Sequence, residues 1–386
     1  MTSLQSTNPA GVTSILLFID SLGSGGAQRQ LVTLANALAR ANYKVYLVCY
    51  YPYWHFRDYL DQKKVELIYL PRRSKRDVLF VFRLTRLLYQ LRPDVILSYL
   101  FTPNVLIRLA RLGYFRRCRV ITSERNIDLQ RSKARLRIER FLSMLSDAVV
   151  TNAAATRDML VQNAVCPEEK IAVIPNGVDT QAYEDISPAQ RSAIRQAYGI
   201  QPERFLIVLP GRIQPQKNHI SLLRALTLIE DVGSRCEVLF VGDIIDQHYR
   251  RQLGRFIETD LQGVPIKFAG QSDDMNAVYE IADLVVLPSL FEGLPNIVIE
   301  AMFKSKLIAI SNTSDNADII NHGVTGFIHD INDDKHLAKI IVQAMEMGEH
   351  EAAQIRQAAH EEFNRKYTVD AMLNRYIDIL AWDSEK

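Results

Sequence analysis

Two carboxylates in the second half of the sequence, Glu292 and Glu300, flank a Gly-Leu-Pro turn that runs into an apolar stretch. Pro295 suits the first turn of a helix, so the spacing predicts Glu292 just outside a helix and Glu300 about one to two turns inside it. Carboxylates accept hydrogen bonds from sugar hydroxyls, and a helix N-terminus attracts phosphate. The stretch thus combines both halves of a nucleotide-sugar site. The alternative is that Glu292 and Glu300 only complement the helix dipole, but this interpretation leaves the Gly-Leu-Pro turn unexplained.

Two cations, Arg212 and Lys217, follow a predicted strand earlier in the same half of the chain. Pro215 lies between them, so a single loop is able to turn both toward one anion. A departing nucleoside diphosphate gains negative charge in the transition state, and fixed cations stabilise that charge. Two solvated surface charges are the alternative, which is weakened by their position at a strand end in the half that holds the glutamates.

A glycine-rich turn, residues 21–28, follows the first predicted strand and opens the first predicted helix. Gly25 and Gly26 would let a phosphate or a substrate approach the backbone closely. A dinucleotide site is disfavoured, because Gln28 stands where its pattern needs a third glycine and the next strand ends without an acidic residue. A tight turn that needs its glycines only for packing is the structural alternative.

Short apolar runs alternate with amphipathic stretches along the chain. This rhythm predicts parallel βαβ units, and hence an α/β fold of two doubly wound, Rossmann-like domains. Strands are predicted over 14–20, 43–50, 65–70, 95–99, 120–123, 148–152, 171–174, 205–209, 236–241, 266–268, 284–287 and 307–310. Helices are predicted over 27–40, 77–91, 104–112, 132–145, 220–229, 248–259, 275–281, 297–303, 335–347 and 369–382.

A polar passage without a continuous apolar run, residues 179–204, separates two series of these units. We predict an amino-terminal domain over 1–182, a second domain over 183–367, and a carboxyl-terminal helix over 368–386 that crosses back to the first domain. Parallel sheets bind ligands beyond the carboxyl ends of their strands. Two such domains facing each other would create a cleft, and the candidate residues fall at strand ends that would line it.

The composition is that of a globular protein able to fold without disulfides or a metal. The chain has 386 residues, 48% hydrophobic and 23% charged, and this length favours two domains. Its four cysteines include no Cys-x-x-Cys pair, which favours a reducing compartment over a zinc site. The first residues lack the cations of a signal peptide, and no apolar run approaches the roughly 20 residues of a spanning helix. We therefore expect a cytoplasmic protein.

The net charge of +2 conceals an asymmetry between the two halves. Residues 1–180 carry 26 Lys and Arg against 14 Asp and Glu, whereas residues 181–386 carry 20 against 30. Between residues 70 and 140, 18 cations accompany 5 acids beside an apolar predicted helix. A basic, apolar surface suits anionic phospholipids, so we expect peripheral association with the inner face of a membrane. A solvated basic face is the alternative, and no nucleic-acid partner is expected because no nucleic-acid-binding motif accompanies the clusters.

The sequence contains no Asp-x-Asp pair. Enzymes that hold a diphosphate through a divalent cation need clustered carboxylates. The cationic side chains of Arg212 and Lys217 are therefore the simpler diphosphate ligands, and we expect neither a metal nor another cofactor.

The sequence resembles glycosyltransferase family 4, a family of the GT-B architecture, over nearly its whole length. The resemblance implies retaining transfer of a sugar from a nucleotide diphosphate sugar without a required metal, in a protein of the bacterial surface-polysaccharide type. The matching positions are 25–28, 174–179, 211–212, 217–218, 241–243, Glu292 and Glu300.

The resemblance also implies roles for single residues. Arg212 and Lys217 would bind the diphosphate and act in catalysis together with Glu292, which would lie beside the donor sugar. Glu300 would hold the ribose. The further predicted donor contacts are Gly25, Gly26, Gly293, Leu294, Pro295, Asn296 and, for the nucleobase, the loop that begins at Phe268.

One departure from the family lies in the amino-terminal domain. Many members have a histidine there near the reacting centre, whereas the only histidine of this domain, His55, has a different sequence context. At the strand ends where that histidine would lie, this chain has Tyr99, Glu124, Arg125 and Asn126, and we predict these on the acceptor side. The missing histidine also disfavours an inverting mechanism, which needs a general base, although Glu124 is able to serve as one.

Together these observations predict a glycosyltransferase that moves a hexose or N-acetylhexosamine from a nucleotide diphosphate sugar, in particular a UDP-sugar, to a lipid-linked saccharide. Two alternatives stay open. One is a nucleotide-sugar epimerase of the same architecture, which would form an epimer without an acceptor. The other is a non-catalytic module that binds sugar nucleotides or polyanions, which would keep its activity after the Glu292→Ala substitution.

Overall fold

The computed structural model describes residues 12–125, 133–313 and 316–380. Its contacts divide the chain into two compact units, one formed by Met1–Val178 with Tyr367–Lys386 and the other by Asp179–Lys366. Each unit is built around one parallel β-sheet flanked by helices, so the prediction of two doubly wound, Rossmann-like domains is confirmed. The 3-10 turn Thr180–Ala182, which we predicted in the first domain, is assigned to the second unit.

The strands and α-helices are numbered in chain order. The strands are β1 (Ser14–Phe18), β2 (Lys44–Cys49), β3 (Val65–Tyr69), β4 (Val95–Tyr99), β5 (Arg119–Glu124), β6 (Ala148–Thr151), β7 (Ile171–Val173), β8 (Phe205–Pro210), β9 (Cys236–Val241), β10 (Ile266–Phe268), β11 (Leu284–Leu287), β12 (Leu307–Ser311) and β13 (Phe327–His329). The α-helices are α1 (Gly26–Arg40), α2 (Leu79–Leu91), α3 (Phe101–Leu112), α4 (Lys133–Ser143), α5 (Ala154–Gln162), α6 (Pro188–Ala197), α7 (His219–Leu226), α8 (Val232–Arg235), α9 (Gln247–Asp260), α10 (Met275–Ile281), α11 (Asn296–Phe303), α12 (Asn316–Ile319), α13 (Asp334–Glu346), α14 (Glu349–Lys366) and α15 (Val369–Leu380).

The first unit contains a seven-stranded parallel sheet in the order β3-β2-β1-β4-β5-β6-β7. Its central strands, β1 and β4, are buried along their whole length, because helices cover both faces of a doubly wound sheet. One face packs against α1 and α15, and the other packs against α2 and α3. Because all the strands of this sheet are parallel, their carboxyl ends lie at one edge.

Helix α15 belongs to the first unit although it follows the second unit in sequence. Its residue Tyr376 is fully buried in the core beside α1. The chain leaves the first unit after Val178 and re-enters it at Tyr367, where the Val178 N–H donates to the Tyr367 carbonyl at 2.9 Å. The Gln30 side chain of α1 makes reciprocal hydrogen bonds of 3.0 Å with the backbone of Gly177. The points where the chain leaves and re-enters the first unit are thus held next to each other, and the exit point is fixed to α1.

The second unit contains a six-stranded parallel sheet in the order β10-β9-β8-β11-β12-β13. Helices α7, α9 and α13 contribute to the main apolar core against one face of the sheet. Side-chain caps fix the starts of several helices: Ser187 and Gln190 form a capping box at α6, and Asp246, Asp274 and Asp333 cap α9, α10 and α13.

All the predicted strands and helices are present, with ends that differ by a few residues. No element is predicted from the sequence where the structure has α5, α6, α8, α12, α14 and β13. Helix α14 is mostly polar and buries only a narrow stripe of small and apolar residues, and β13 has three residues; neither carries a clear periodic signal. Among the described residues, no helix has both the length and the apolar character needed to cross a membrane.

The interaction of Tyr376 with the first unit predicts a stability effect. Its hydroxyl lies 2.9 Å from the guanidinium of Arg125 and 2.7 Å from the hydroxyl of Tyr99. Tyr376→Phe should lower the free energy of unfolding of this unit by about 1–3 kcal/mol, because it leaves buried polar groups short of a partner. Urea unfolding, followed by hydrogen exchange in α15, measures this loss. The matched control is Tyr69→Phe on an exposed side chain, and an equal effect in both variants would contradict the prediction.

Candidate active site

The loops that follow β8 and β11 meet at the carboxyl edge of the second sheet, because these strands are parallel neighbours. The Leu290 N–H donates to the Gln216 carbonyl at 2.9 Å. The Gln216 side chain donates to the Phe291 carbonyl at 3.0 Å and accepts from the Gln214 amide at 2.9 Å. These hydrogen bonds, which we call the Gln216 clasp, hold the two loops in a fixed register.

The clasp brings together two of the predicted catalytic residues, Lys217 and Glu292. The Lys217 ammonium lies 2.5 Å from a carboxylate oxygen of Glu292, and each side chain is only 11% exposed. A charge pair with so little access to water is screened weakly, and it costs desolvation energy that well-placed partners must offset. The side-chain stem of Lys217 also packs beside Gly211. A cation and an anion are therefore held side by side at the strand edge.

Arg212 lies on the same loop as Lys217 but is exposed to solvent. Its side chain makes no hydrogen bond or ion pair with any residue that the structure describes. The structure thus places Arg212 near the candidate site without fixing the direction of its guanidinium. Its predicted role in binding a diphosphate stays a prediction.

A close backbone contact joins this loop to the one that follows β9. The Gly211 N–H donates to the Val241 carbonyl at 2.8 Å, and the Ile213 N–H donates to the Asp243 carbonyl at 2.8 Å. Gly242 has φ +156°, and a Cβ atom there would overlap the Gly211 carbonyl and lie 2.9 Å from the Arg212 nitrogen. Only glycine allows this approach, so Gly242 sets the position of the cationic loop.

The stretch from Gly293 to Asn296 leads into helix α11, which begins at Asn296 after Pro295 and has no side-chain cap. Glu300 lies in the second turn of this helix, close to the predicted position, but it is only 3% exposed. Its carboxylate accepts a hydrogen bond of 2.8 Å from the hydroxyl of Tyr279 on α10. The structure therefore anchors Glu300 beneath the loop, and its predicted contact with a ribose stays a prediction.

A buried histidine lies directly after the cationic loop. His219, the first residue of α7, is fully buried and packs edge-on against Phe240 and Tyr249 at ring-centroid distances of 5.1 and 6.0 Å. Neither ring nitrogen makes a hydrogen bond of normal geometry with any residue that the structure describes. Burial lowers the pKa of His219 from 6.5 to about 3, and the ammonium of Lys217 adds to this effect. The imidazole therefore stays neutral and supports the loop by packing.

Phe268, predicted beside the nucleobase, lies at the end of β10 and is half-buried. The guanidinium carbon of Arg250 is 3.6 Å from the centroid of its ring, and the ring of Phe240 is 5.0 Å away. The Phe268 ring is thus already in contact with a guanidinium and with another phenyl ring of the same unit. Its predicted role toward a nucleobase stays a prediction.

The predicted acceptor residues Tyr99 and Arg125 lie at the carboxyl ends of β4 and β5, but their polar groups face the interior of the first unit. The guanidinium donates to the hydroxyls of Tyr99 and Tyr376 at 2.6 and 2.9 Å and to Ser123 at 3.0 Å, and it also hydrogen-bonds to Asn176. Burial raises the pKa of Tyr99 well above its ordinary value. In this structure the two residues join the strand ends to helix α15.

The other residues predicted in the amino-terminal half lie nearby in the first unit. Glu124 is buried and accepts a hydrogen bond of 3.0 Å from the Asn104 side chain. Gly25 precedes α1, whose first turn begins at Gly26 and has no side-chain cap. Their roles toward an acceptor or a donor stay predictions, and Asn126 lies outside the described residues.

Several residues at the edge of the second sheet have no counterpart in the sequence analysis. Gln216 and Tyr279 form the hydrogen bonds that hold Lys217, Glu292 and Glu300 in place. No spacing rule identifies them, because each partner lies on another element. A further set of buried side-chain atoms at this edge has no hydrogen-bond partner among the described residues; they belong to Ser289, Thr313 and His329.

One group of side chains in the described part of the chain has the spacing of metal ligands: Asp330, Asp333 and His336. The two aspartates are exposed, and Asp333 already caps helix α13 by accepting from the His336 N–H at 2.9 Å. These residues follow β13 and are not part of the Gln216 clasp, so we assign them no role in the candidate site.

Comparison with known families agrees with this architecture. The family model "Glycosyltransferase Family 4" matches residues 24–182, and the model "Glycosyl transferases group 1" matches residues 190–361. The first unit therefore matches one glycosyltransferase model and the second unit matches another. These two matches and the two parallel-sheet units support the assignment of the chain as a glycosyltransferase with the GT-B fold.

Individual relatives agree with this assignment. The chain is 24% identical over 257 residues to "Putative glycosyltransferase EpsD" of Bacillus subtilis, covering 64% of this chain and 65% of that protein, so this match spans slightly less than two thirds of the relative. It is 25% identical over 341 residues to a Campylobacter jejuni protein named "GalNAc-alpha-(1->4)-GalNAc-alpha-(1->3)-diNAcBac-PP-undecaprenol alpha-1,4-N-acetyl-D-galactosaminyltransferase", covering 84% of this chain and 87% of that protein. The crystal structure of Anabaena HepE in complex with UDP and glucose has a TM-score of 0.85 and 21% identity, covering 95% of this chain and 99% of that one. This likeness shows the same fold.

The close approach at Gly242 predicts a specific loss of stability. Gly242→Ala should lower the free energy of unfolding of the second unit by more than the roughly 1–3 kcal/mol expected for an unfavourable backbone conformation, because the new Cβ overlaps the Gly211 carbonyl. The matched control is Gly263→Ala, where φ is +85° but no atom lies within 4 Å of the position that the new Cβ would take. Urea unfolding compares the two variants. Equal losses would show that the contact with Gly211 does not constrain the loop.

The buried imidazole of His219 predicts a pH dependence of stability. Below pH 6.5 the unfolded chain binds a proton on this residue, whereas the folded unit binds it only near pH 3. The free energy of unfolding should therefore fall as the pH drops through this window, by about 2 kcal/mol between neutral pH and pH 5 for this residue alone. Urea unfolding at several pH values should give a smaller slope for His219→Leu.

His350→Leu, a change at an exposed histidine, is the control and should keep the slope of the parent. Some pH dependence should persist in His219→Leu, because burial lowers the pKa of His329 as well. An unchanged slope in the His219→Leu variant would contradict the assignment of a neutral buried imidazole.

Proposed function

We propose that this enzyme transfers a hexose or N-acetylhexosamine from a UDP-sugar to a lipid-linked saccharide, with retention of configuration, in the assembly of a surface polysaccharide. The observation that carries the proposal is the contact between Lys217 and Glu292 at the edge of the second sheet. It joins a cation suited to a diphosphate and a carboxylate suited to sugar hydroxyls in one place. Retention rests on the resemblance to the family.

The arrangement suggests how the donor is bound. A diphosphate that approaches the start of α11 meets the ammonium of Lys217 and the backbone of the helix N-terminus, both of which favour an anion. The diphosphate competes with Glu292 for Lys217, and the carboxylate then accepts hydrogen bonds from the hydroxyls of the transferred sugar. As the sugar–phosphate bond breaks, Lys217 stabilises the charge that grows on the departing UDP.

The choice of donor and acceptor is supported by the similar proteins. The Anabaena protein was crystallised with UDP and glucose, and the Campylobacter relative is named for transfer to a saccharide on PP-undecaprenol. The excess of cations in residues 1–180 suits a pyrophosphate-bearing lipid acceptor and an anionic membrane. We therefore propose a cytoplasmic enzyme that works peripherally at the inner face of a membrane, with the first unit on the acceptor side and the second on the donor side.

A UDP-sugar binding experiment tests the donor half of this proposal. The parent protein should gain thermal stability from one member of a panel of UDP-sugars, since a ligand at about 100 times its Kd stabilises the native state by about 2.7 kcal/mol. Lys217→Ala should lose most of this gain. Arg224→Ala, a change at an exposed arginine of the same unit, should keep it. Equal stabilisation of all three proteins would remove Lys217 from the site.

Turnover with a lipid-linked acceptor tests the chemistry. UDP should be released only when the acceptor is present, and Glu292→Gln should lower kcat by about 100-fold or more, as loss of one transition-state contact does elsewhere. The anomeric configuration of the product, read by NMR, tests retention. Formation of an epimer without acceptor would favour the epimerase, and unchanged biological activity of Glu292→Ala would favour a binding module.

A further inference from the structure

Helices α2, α3 and α4 lie side by side over one face of the first sheet. The Thr85 hydroxyl of α2 donates to the Ala110 carbonyl of α3 at 3.2 Å, and Arg108 of α3 donates to Ser146, just after α4, at 2.8 Å. Their outward surface, with the turn after α3, is called here the α2–α4 face. Its large exposed apolar side chains are Val78, Leu79, Phe82, Tyr89, Leu109, Leu112, Phe115, Ile138, Phe141 and Met144.

The α2–α4 face exposes more apolar surface than the fold requires. Phe82 is 71% exposed, Phe115 is 86% exposed and Phe141 is 63% exposed. The helices have separate apolar residues for the core: Phe80 and Leu84 of α2 are fully buried on the opposite side. Adjacent exposed apolar side chains of this size are unusual on a soluble surface and mark an interaction site. The Phe115 N–H donates to the Tyr89 hydroxyl at 3.2 Å, which joins the part of the face on α2 to the part after α3.

Cations surround the exposed apolar side chains. Arg86 of α2, Arg116 of the turn after α3 and Arg140 of α4 are exposed, and their side chains make no ion pair with any residue that the structure describes. Arg83, by contrast, is held by Asp77 at 2.5 Å. Further exposed cations on the α2–α4 face or beside the start of α2 are Arg73, Lys75, Arg76 and Arg137. The partner of this face must therefore be both apolar and anionic.

We propose that the α2–α4 face docks on a bilayer that contains anionic phospholipids. The phenyl rings of Phe82, Phe115 and Phe141 enter the boundary between headgroups and acyl chains, and the surrounding arginines contact the phosphates, as in other interfacial surfaces with aromatic and cationic side chains. A second copy of this chain is a poorer partner, because a symmetric contact would bring the same cations together. The inference rests on the proposed function in one respect: docking on the bilayer would bring the enzyme to its lipid-linked acceptor.

Vesicle flotation of the whole 386-residue chain, without either substrate, tests this surface. The parent should float with vesicles that contain phosphatidylglycerol and remain largely unbound with pure phosphatidylcholine. The Phe82→Ser, Phe115→Ser, Phe141→Ser triple variant should lose this binding. Arg86→Gln with Arg116→Gln should weaken it by about 25-fold, since each cation near an anionic surface contributes about five-fold.

Matched changes in the second unit serve as controls. Leu228→Ser changes a side chain that is 51% exposed, and Arg251→Gln with Arg255→Gln removes two exposed cations; both should bind vesicles like the parent. A single Phe115→Trp variant reports insertion by comparison with the parent, which supplies the emission of Trp54 and Trp382. The added emission should shift to the blue on anionic vesicles and be quenched by brominated acyl chains.

Three outcomes would overturn the inference. The first is equal vesicle binding by the parent and the triple Phe variant. The second is binding that depends on the arginines alone, with no change in the tryptophan emission of the Phe115→Trp variant, which would indicate adsorption without insertion. The third is a concentration-dependent dimer in light scattering that the triple variant abolishes while vesicles bind neither protein. Thermal shift with UDP-sugars, measured on the same proteins, separates these results from a failure of the proposed transferase activity.

Discussion

The parallel pairing of β8 with β11 is the constraint on which the candidate site depends. Parallel neighbours end at the same edge of a sheet, so the loop with Lys217 and the loop with Glu292 have to meet, although the two residues are far apart in sequence. The Gln216 clasp then fixes their register through backbone carbonyls. Gly242 keeps the neighbouring loop close enough to support this arrangement. The ion pair is thus a consequence of strand order together with the loop contacts of Gln216 and Gly242.

Part of this site could be predicted from the sequence, because it follows from local rules. Strands with continuous apolar runs, the glycine and proline turns, and charged residues immediately after strand ends identify the elements and put Lys217 and Glu292 at one edge. The hydrogen bonds of Gln216 and Tyr279 could not be predicted, since their partners lie on other elements. The interior position of Arg125 could not be predicted either. It depends on the packing of Tyr376, which no pattern near Arg125 indicates.

The two units handle charge in different ways. In the second unit, the charged groups of the candidate site are few, poorly exposed and paired across two loops, so their energies depend on geometry and are weakly screened by salt. In the first unit, the cations of the α2–α4 face are numerous, exposed and spread over α2, α4 and the turns beside them, so they act mainly through their sum. The first arrangement suits recognition of one small molecule, and the second suits an extended anionic surface.

The return of the chain at Tyr367 has a consequence for synthesis on the ribosome. Since helix α15 is the last described element, all strands of the first sheet are made long before the helix that covers part of one of its faces. Until residue Leu380 has left the exit tunnel, apolar side chains beside α1 lack their final cover, and the interior partners of Arg125 are incomplete. Incompletely covered apolar surface promotes aggregation during folding. The order of the sequence therefore leaves this apolar surface without its final cover throughout the translation of the second unit.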